Sequence, residues 1–279
     1  MKIATFNCNS VRQRLPIILD WLTRHQPDVL CLQETKVQDA EFPKDAFAGT
    51  GFQAHFRGMK GYNGVALISR REPDQVTYGL GDVPETVPEG KSYAGADETR
   101  FCHARFGELH LLNTYVPQGY LIDNPKYAYK LEWYRRLKQY FATHFRPSEN
   151  VLWCGDLNVA PRPVDVHSPE KHLQHVCYHE AARKAYAETV DWGFEDVFVR
   201  LHPKETQFTF FDYRKFPPPD KQGRWLTALE TNKGWRIDHI LATAPLAAAC
   251  KQVEVDLEPR RAAQASDHAI LWAEFADLP

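Results

Sequence analysis

Residues 151–158 read VLWCGDLN, a short apolar run that ends in an aspartate, a leucine and an asparagine. The run 151–156 is short and rich in Val, Leu and Trp, which is typical of a β-strand. Asp156 and Asn158 are two residues apart, so in an extended segment both side chains project to the same side. The stretch therefore predicts a strand that brings a carboxylate and an amide to one edge of a sheet.

Six further runs of this kind recur along the chain, with turn-forming residues between them. We expect strands at 2–8, 29–33, 64–69, 109–115, 236–242 and 269–275. Apolar side chains fall on one helical face in 15–22, before Pro27, and in 127–145, before Pro147, and a third helix is expected at 179–192. Strands outnumber helices, so the pattern favours packed sheets flanked by helices in one domain.

The composition excludes several classes of protein. Of the 279 residues, 25% are charged and 43% are hydrophobic, and the mean hydropathy is −0.50, which argues against a membrane protein or a disordered chain. The most apolar run, 240–250, is interrupted by Pro245 and is too short to span a bilayer. The first residues lack the apolar segment of a signal peptide, and none of the six cysteines forms a C-x-x-C pair. We therefore expect a cytoplasmic protein with buried free thiols.

The overall charge is close to neutral, at −2 from 34 Lys and Arg against 36 Asp and Glu. A protein that is held on nucleic acid by its overall charge would be more basic than this. A phosphate-bearing partner would need a local basic patch or a bound metal ion.

Polar side chains gather where the predicted strands end, and the set is Asn7, Glu34, Tyr115, Asp156, Asn158, Asp238, Asp267 and His268. Any one of them alone is explained by a turn or a cap. Together their carboxylate and amide oxygens suit hard cations such as Mg²⁺ or Mn²⁺. The thiolates and multiple histidines that suit zinc do not occur at these strand ends.

A second cluster of polar residues lies in the stretch 167–179, which holds His167, His172, His175, Cys177 and His179. The spacing fits no standard zinc finger, and no H-E-x-x-H motif is present. We expect exposed histidines here, and a zinc site is the alternative.

Eight stretches resemble one known family and occur in that family's order: TFNCNSVR, PDVLCLQETK, GYNGVALIS, NTYVPQG, GDLNVAP, TFFDYR, WRIDHILAT and SDHAILW. The chain resembles the exonuclease III family of apurinic/apyrimidinic (AP) endonucleases, within the endonuclease/exonuclease/phosphatase superfamily. Its NTYVPQG and DVHSPEKH segments resemble the bacterial and archaeal branch. The resemblance covers almost the whole chain. It implies an α+β fold, a four-layer αββα sandwich of two packed mixed β-sheets flanked by helices, in a single domain over residues 1–279.

The resemblance also implies catalytic roles for five residues. Tyr115 would contact the scissile phosphate, and Asn158 would hold a non-bridging oxygen. Asp156 would orient or deprotonate the attacking water. Asp238 would pair with His268 and fix its ring, and His268 would donate to the phosphate. A carboxylate behind an imidazole stabilises the charged ring, which suits an anionic partner.

The implied cofactor is a divalent ion, Mg²⁺ or Mn²⁺. Glu34 would be its main ligand, with Asn7 and Asp267 nearby, and the full implied set is Asn7, Glu34, Asp156, Asn158, Asp267 and His268. Such an ion lowers the pKa of bound water and neutralises phosphate charge.

The family reads a displaced nucleotide in a pocket, and by resemblance this abasic pocket would be formed by Phe210, Phe211 and Trp235. The family commonly has Trp where Phe210 stands and a smaller aliphatic residue where Trp235 stands. We hypothesise that Trp235 narrows or reshapes the pocket and that its ring could stack on an ordinary base. DNA contacts are expected from a loop before the strand 64–69, from the residues after Tyr115, from the TFFDYR motif and from the stretch 215–233. The residues are Arg57, Lys60, Tyr62, Asn63, Gln118, Tyr120, Arg214, Lys221, Arg224 and Trp225, and the histidines of 167–179 would be exposed or DNA-facing.

The implied activity is divalent-metal-dependent cleavage of double-stranded DNA 5′ to abasic sites in base-excision repair, with 3′→5′ exonuclease and 3′-end trimming. The expected state is a monomer in the cytoplasm of a prokaryote, associated with the nucleoid and not with a membrane. The alternatives are another superfamily phosphodiesterase or phosphatase, acting on RNA or phosphoinositides, and a non-catalytic DNA-binding module. A non-catalytic DNA-binding module would be expected to lack at least one of the polar residues at the strand ends. All of these residues are present.

Overall fold

A computed structural model of the chain describes residues 1–82, 99–216 and 223–276. These ranges contain the following strands: β1 (Lys2–Asn7), β2 (Val29–Gln33), β3 (Gln53–Met59), β4 (Tyr62–Ser69), β5 (Gln75–Tyr78), β6 (Phe101–Phe106), β7 (Leu109–Tyr115), β8 (Asn150–Asp156), β9 (Phe194–Asp196), β10 (Lys215–Phe216), β11 (Leu226–Thr227), β12 (Asp238–Thr243), β13 (Cys250–Asp256) and β14 (Ile270–Phe275). The α-helices there are α1 (Val11–His25), α2 (Lys44–Ala48), α3 (Pro125–His144), α4 (Glu180–Val190), α5 (Val197–Leu201) and α6 (Ala244–Ala248).

Twelve of these strands form two six-stranded mixed sheets with the same pattern of strand directions. The first sheet has the order β13-β14-β1-β2-β4-β3 and the second β5-β6-β7-β8-β12-β9. In each, the central pair is parallel, β1 with β2 and β7 with β8, and the flanking pairs are antiparallel. The polar residues at the carboxyl ends of each parallel pair therefore emerge at one edge of their sheet.

The two sheets pack face to face, and helices cover their outer faces. Ile3 and Leu67 of the first sheet share one buried apolar cluster with Leu111 and Ile240 of the second. On the far side of the first sheet, Trp21 of α1 packs in a cluster with strand residues. On the far side of the second, α3 and α4 pack in another cluster. The expected four-layer αββα arrangement is confirmed.

A buried polar network joins the sheets just below the strand ends. The Asn113 side-chain amide on β7 donates to the carbonyls of Leu32 (3.0 Å) and Ala66 (2.9 Å) in the first sheet. Gln33 Nε2 donates to Asn113 Oδ1 (2.7 Å) and to Thr5 Oγ1 (2.9 Å). Both side-chain amides are fully buried, so they fix the sheets in one relative position.

The seven predicted strands and the three predicted helices are all present, although some of their ends differ from the predicted ones. The strand expected at 236–242, for example, begins at Asp238. Five further strands of the two large sheets were missed: β3, β5, β6, β9 and β13. Four of them lie at sheet edges and the fifth lies beside an edge, where one face meets solvent and the apolar run that marks a buried strand is interrupted by polar residues.

The six cysteines are free and buried, as expected. No helix in the described ranges is long and apolar enough to cross a bilayer.

Candidate active site

The carboxyl ends of the two parallel strand pairs meet at one point of the sandwich. Asn7 ends β1 and Glu34 follows β2, whereas Tyr115 ends β7 and Asp156 ends β8. The Asn7 side-chain amide donates to Glu34 Oε1 and to Asp156 Oδ2, each at 2.9 Å. One buried amide thus connects a carboxylate of the first sheet to a carboxylate of the second.

Asp238 and His268 complete the site from the neighbouring antiparallel strands. Asp238 lies directly opposite Asp156 in the β12–β8 register, and His268 precedes β14. His268 Nδ1 lies 2.8 Å from Asp238 Oδ2, and its Nε2 lies 3.9 Å from Asp156 Oδ2. Burial alone lowers the pKa of His268, but the charges of Asp238, Asp156 and Asp267 outweigh burial and raise it to about 10. The ring is therefore an imidazolium at neutral pH.

Asp156 is a carboxyl group that changes its charge near neutral pH. Burial raises its pKa, and the negative charges of Asp238 and Glu34 add to this, while His268 and Asn7 oppose it, so that the pKa is about 7. Its Oδ1 accepts a hydrogen bond from the Asn158 N–H at 2.9 Å. A carboxyl with this pKa, held in a fixed position, is suited to proton transfer with water.

Glu34 and Tyr115 hold opposite protonation states. Although burial acts to raise the pKa of Glu34, Lys36 and Asn7 bring it below its ordinary value, and Lys36 Nζ lies 2.7 Å from Glu34 Oε2. Burial and the charge of Glu34 raise the pKa of Tyr115 well above its ordinary value. Glu34 is therefore an anion, and Tyr115 remains a hydrogen-bond donor.

Asn9 and Lys36 also belong to the site, although neither was singled out from the sequence. Asn9 Nδ2 donates to Asp267 Oδ1 at 3.1 Å, and Asn9 Oδ1 accepts from Lys36 Nζ at 2.5 Å. Lys36 thus bridges Asn9 and Glu34. The signal for both was their presence in TFNCNSVR and QETK, the stretches that also supply Asn7 and Glu34.

The backbone at the site adopts an uncommon conformation at several non-glycine residues, including Lys36 with a φ of 53°. Asn9, Glu34 and Asn158 have φ values of 45°, 52° and 51°, in the left-handed region that costs a residue with a side chain about 1 kcal/mol or more. The Asp156 carboxylate offsets part of this cost at Asn158 through the hydrogen bond to its N–H. The strained turns aim the three side chains into the site.

A fully buried lysine on α3 ties together three loops of the site. Lys130 Nζ donates to the carbonyls of Asn158 (2.7 Å), Val176 (2.7 Å) and Gln118 (3.2 Å), so all three of its donors are used. Four residues further along the helix, Tyr134 donates to the Leu157 carbonyl at 2.5 Å. Sequence reasoning missed Lys130, because one lysine on a helix carries no motif.

The donor set fits a hard divalent cation. Asp238 Oδ1 is a buried oxygen with no hydrogen-bond partner among the described residues. Burial raises the pKa of Asp156, and the negative charges of Asp238 and Glu34 raise it further. In the described ranges, one group of three acidic, His or Cys side chains has ligand atoms within 4.8 Å of one another, namely Asp156, Asp238 and His268. A protonated imidazole has no free lone pair, so a cation could bind His268 only by displacing its proton. The carboxylate oxygens are therefore the better ligands.

The site opens into a cavity of about 400 Å³. The predicted residues that line it are Glu34, Tyr115, Gln118, Asp156, Asn158, Phe210, Arg214, Trp235, Asp267 and His268. Asn7 and Asp238 lie deeper, fully buried behind this lining. Phe211 is not part of the lining, because its ring packs with Phe208 and Ala228 in a small separate core cluster.

Trp235 is in the wall of the cavity, but three histidines cover its ring. Its exposure is 7%, and the rings of His175, His172 and His167 lie 4.5, 4.8 and 6.0 Å from it, between centroids. The expectation that the indole itself offers a stacking surface is therefore not supported. In the described chain, no three of the residues in 167–179 converge as metal ligands, which disfavours the zinc alternative.

Two of the predicted DNA-contacting residues, Gln118 and Arg214, line the cavity. The segment expected as a loop before 64–69 is largely strand, since Arg57 lies on β3 and Asn63 on β4. The β3–β4 hairpin, which carries Lys60 and Tyr62, is joined to the Glu34 loop through backbone hydrogen bonds. Tyr62, Tyr120 and Trp225 are 65%, 62% and 48% exposed. Three of the predicted cations are paired with carboxylates: Arg57 with Asp39, Arg214 with Asp212 and Arg224 with Glu230. Lys221 lies outside the described residues.

The chain is similar to known nucleases over its whole length. The model of the Endonuclease/Exonuclease/phosphatase family matches residues 4–268. Exodeoxyribonuclease III of Haemophilus influenzae is 31% identical, over 99% of this chain and 100% of the relative. An AP endonuclease from Archaeoglobus fulgidus has a solved structure that is 45% identical, with a TM-score of 0.89 and 99% of each chain covered. The 3′ phosphatase NExo from Neisseria, bound to a product DNA hairpin, is 33% identical, with a TM-score of 0.85 and the same coverage. The chain therefore belongs to the endonuclease/exonuclease/phosphatase family.

Proposed function

We propose that the chain is a DNA repair nuclease that cuts 5′ to abasic sites in duplex DNA and also trims 3′ ends. One observation carries this proposal. Asp156 and the His268–Asp238 pair lie together at the base of a cavity that is large enough for a nucleotide residue. Relatives named exodeoxyribonuclease III, AP endonuclease and 3′ phosphatase support the same substrate class.

The geometry supports a distinct role for each residue around the phosphate. Asp156 holds the attacking water and takes a proton from it, because its pKa lies near neutrality. His268 donates from Nε2 to a phosphate oxygen while Asp238 fixes the ring through Nδ1. Asn158 and Tyr115 face the same cavity and donate to the remaining oxygens. Such prearranged donors stabilise charge that develops in the transition state.

We propose that Glu34 is the main ligand of a divalent cation, with Asn7 and Asp267 beside it. The bound ion would neutralise phosphate charge and lower the pKa of water. We place Mg²⁺ or Mn²⁺ here, since the surrounding donors are oxygens. Lys36 holds Glu34 in place, and Asn9 holds Asp267.

Cleavage 5′ to a nucleotide leaves that nucleotide on the 3′ side of the cut, and we place it in the cavity beside Phe210 and Trp235. An abasic residue and a normal 3′-terminal nucleotide would enter the same space. The exposed loops around the mouth, including Tyr62 and Tyr120, would contact the flanking backbone. We propose that the chain is a single domain, since both sheets contribute to one site. We also propose that it acts as a monomer in the cytoplasm.

One panel of end-labelled duplexes tests the function. The duplexes carry an internal abasic analogue, a nick, a 3′-phosphate or an undamaged recessed end, and each is incubated with Mg²⁺, Mn²⁺ or EDTA. RNA and a soluble phosphoinositide serve as comparison substrates. We expect cleavage of the DNA substrates with either ion and none in EDTA. Activity in EDTA would contradict the metal assignment, and turnover of only the comparison substrates would contradict the DNA assignment.

A further inference from the structure

The histidines that cover Trp235 form a surface that the proposed catalytic steps do not use. Resting on the proposed nuclease function, we propose that His172 and His175, packed on Trp235, form a subsite that stacks against the base of the nucleotide on the 3′ side of the cut. This subsite would serve substrates that carry a base at that position, and it would have no role when the base is missing.

The aromatic rings form one continuous layered cluster. His175 lies 4.5 Å from Trp235 with an interplanar angle of 37°, and His172 lies 4.8 Å away at 58°. His167 closes the inner side, 4.8 Å from the ring of His172. Since the indole is 7% exposed and His175 is exposed, the imidazole of His175 is what a ligand in the cavity would meet.

Hydrogen bonds to the backbone hold the rings in place. His167 Nδ1 lies 3.2 Å from the Gly234 carbonyl, which can only accept, so Nδ1 is the protonated nitrogen. His167 Nε2 then accepts from His172 Nε2, 3.4 Å away. His175 Nδ1 accepts from the Cys177 N–H at 3.2 Å. A ring fixed in this way loses little further freedom when a base stacks on it.

The surface is uncharged at neutral pH. Burial lowers the pKa of His167 and of His172, and desolvation with the nearby His172 lowers that of His175 to about 4. Neutral imidazoles offer flat π-surfaces without a positive charge that would attract phosphate. The cluster is therefore suited to the flat face of a base and not to the DNA backbone.

The position of the cluster relative to the cutting residues identifies which base it would meet. The ring of Phe210 lies 5.1 Å from that of His268, and the Phe210 backbone pairs with both Trp235 and His268. The wall of the cavity thus runs without a break from the phosphate-contacting imidazole to the histidine cluster. A nucleotide whose 5′ phosphate lies at His268 would project its sugar past Phe210 and its base toward His175.

Three substrates distinguish stacking on a base from a general effect of the substitutions on activity. A normal recessed 3′ nucleotide places a base in the cavity, an internal abasic analogue places only a sugar there, and a 3′-phosphate places no nucleotide there. We expect the double variant His172→Ala with His175→Ala to lose about tenfold or more in kcat/KM on the normal nucleotide, because each stacked base contributes that much. Removal of the 3′-phosphate and cleavage at the abasic analogue should stay within about twofold of the wild type, because neither places a base on the cluster.

Two further variants sharpen the comparison. His175→Phe keeps a stacking ring and should retain the wild-type rate on the normal nucleotide. His144→Ala is the matched control, since His144 is also an exposed imidazole stacked on an aromatic ring, Tyr140, at 4.1 Å, but it does not line the cavity. Its rates on all three substrates should be unchanged.

A binding measurement keeps the test independent of turnover. A duplex with 2-aminopurine as its 3′-terminal nucleotide is mixed with the inactive variant Asp156→Asn, and stacking should quench the fluorescence. We expect less quenching when His172→Ala and His175→Ala are added to that variant. Equal quenching, or an equal loss of rate on all three substrates, would overturn the subsite. A wild-type protein that cleaves none of the substrates would overturn the proposed nuclease function and the subsite with it.

Discussion

Replacing Asp238 by asparagine should remove the positive charge from His268 while leaving its ring in place. The Asp238 oxygen lies 2.8 Å from His268 Nδ1, and an asparagine oxygen can accept the same hydrogen bond. At an effective dielectric constant of about 20, unit charges at this separation interact by about 6 kcal/mol. A pKa of about 10 against an ordinary 6.5 corresponds to about 5 kcal/mol in favour of the imidazolium. Burial opposes the shift, and among the charges that raise the pKa of His268, that of Asp238 has the largest effect, ahead of Asp156 and Asp267.

Without that charge, the pKa of His268 should fall below neutrality. The neutral ring would keep its proton on Nδ1, facing the amide oxygen of the introduced asparagine, and Nε2 could no longer donate to the phosphate. We expect cleavage of an abasic duplex at neutral pH to slow by a factor of about 10² to 10⁴. Titration of the His268 ring, followed by NMR with labelled histidine, should show the lowered pKa directly.

The matched control is Asp256→Asn, since Asp256 also lies beside an imidazole, His25, at 3.3 Å, but outside the site. Its cleavage rate should match the wild type. If Asp238→Asn cleaves at the wild-type rate and the pKa of His268 stays near that of the wild type, the assignment of His268 as a charged donor is wrong.

Four other outcomes follow from the geometry. Asp156→Asn should abolish turnover while duplex binding, measured by fluorescence anisotropy, survives; near-normal cleavage would refute the role of Asp156. Trp235→Leu should change the ratios among AP cleavage, exonuclease and 3′-trimming rates, and unchanged ratios would show that the ring does not shape the pocket. Lys130→Met leaves three buried carbonyls without their donor, so the free energy of unfolding should fall by about 3 kcal/mol or more in denaturant titrations, and turnover should fall with it. In EDTA, the folded state should bind more protons than the unfolded state over two pH ranges. At Asp156 the range runs from 3.8 to about 7, and at His268 it runs from 6.5 to about 10. The melting temperature should therefore fall as the pH rises from about 5 to about 9, and Mg²⁺ should restore more of it at the alkaline end of that range than at the acidic end.

The sequence predicted the parts of the molecule where a local residue pattern is compatible with only one kind of structure. The run 151–156 is buried on both faces, and its apolar residues have no other stable place than an inner strand. The meeting of Asn7 with Glu34, and of Tyr115 with Asp156, was also foreseeable, because parallel strands deliver their carboxyl ends to one edge of a sheet. His268 instead reaches the site from the start of an antiparallel strand. The roles assigned to these residues remain proposals that the variants above test.

Contacts between distant segments could not be read in the same way. Nothing in the sequence around Lys130 indicates that its ammonium group collects carbonyls from three loops, since those carbonyls belong to the backbone of unrelated stretches. The histidines of 167–179 resembled a metal cluster because spacing alone does not reveal that Trp235, far along the chain, lies among their rings. Phe211 was assigned to the pocket beside Phe210, although successive residues in an extended segment face opposite sides.

The way the chain is divided between the two sheets has a consequence for its biosynthesis. The first sheet is built from residues 2–69 together with 250–275, and the second from residues between them. A chain that grows from its N-terminus therefore cannot complete its first sheet until β14 has been made. His268, immediately before that strand, arrives in the same late step. A nascent chain would carry most of the acidic residues of the site without an assembled centre for cutting DNA, so the onset of activity would coincide with completion of the fold.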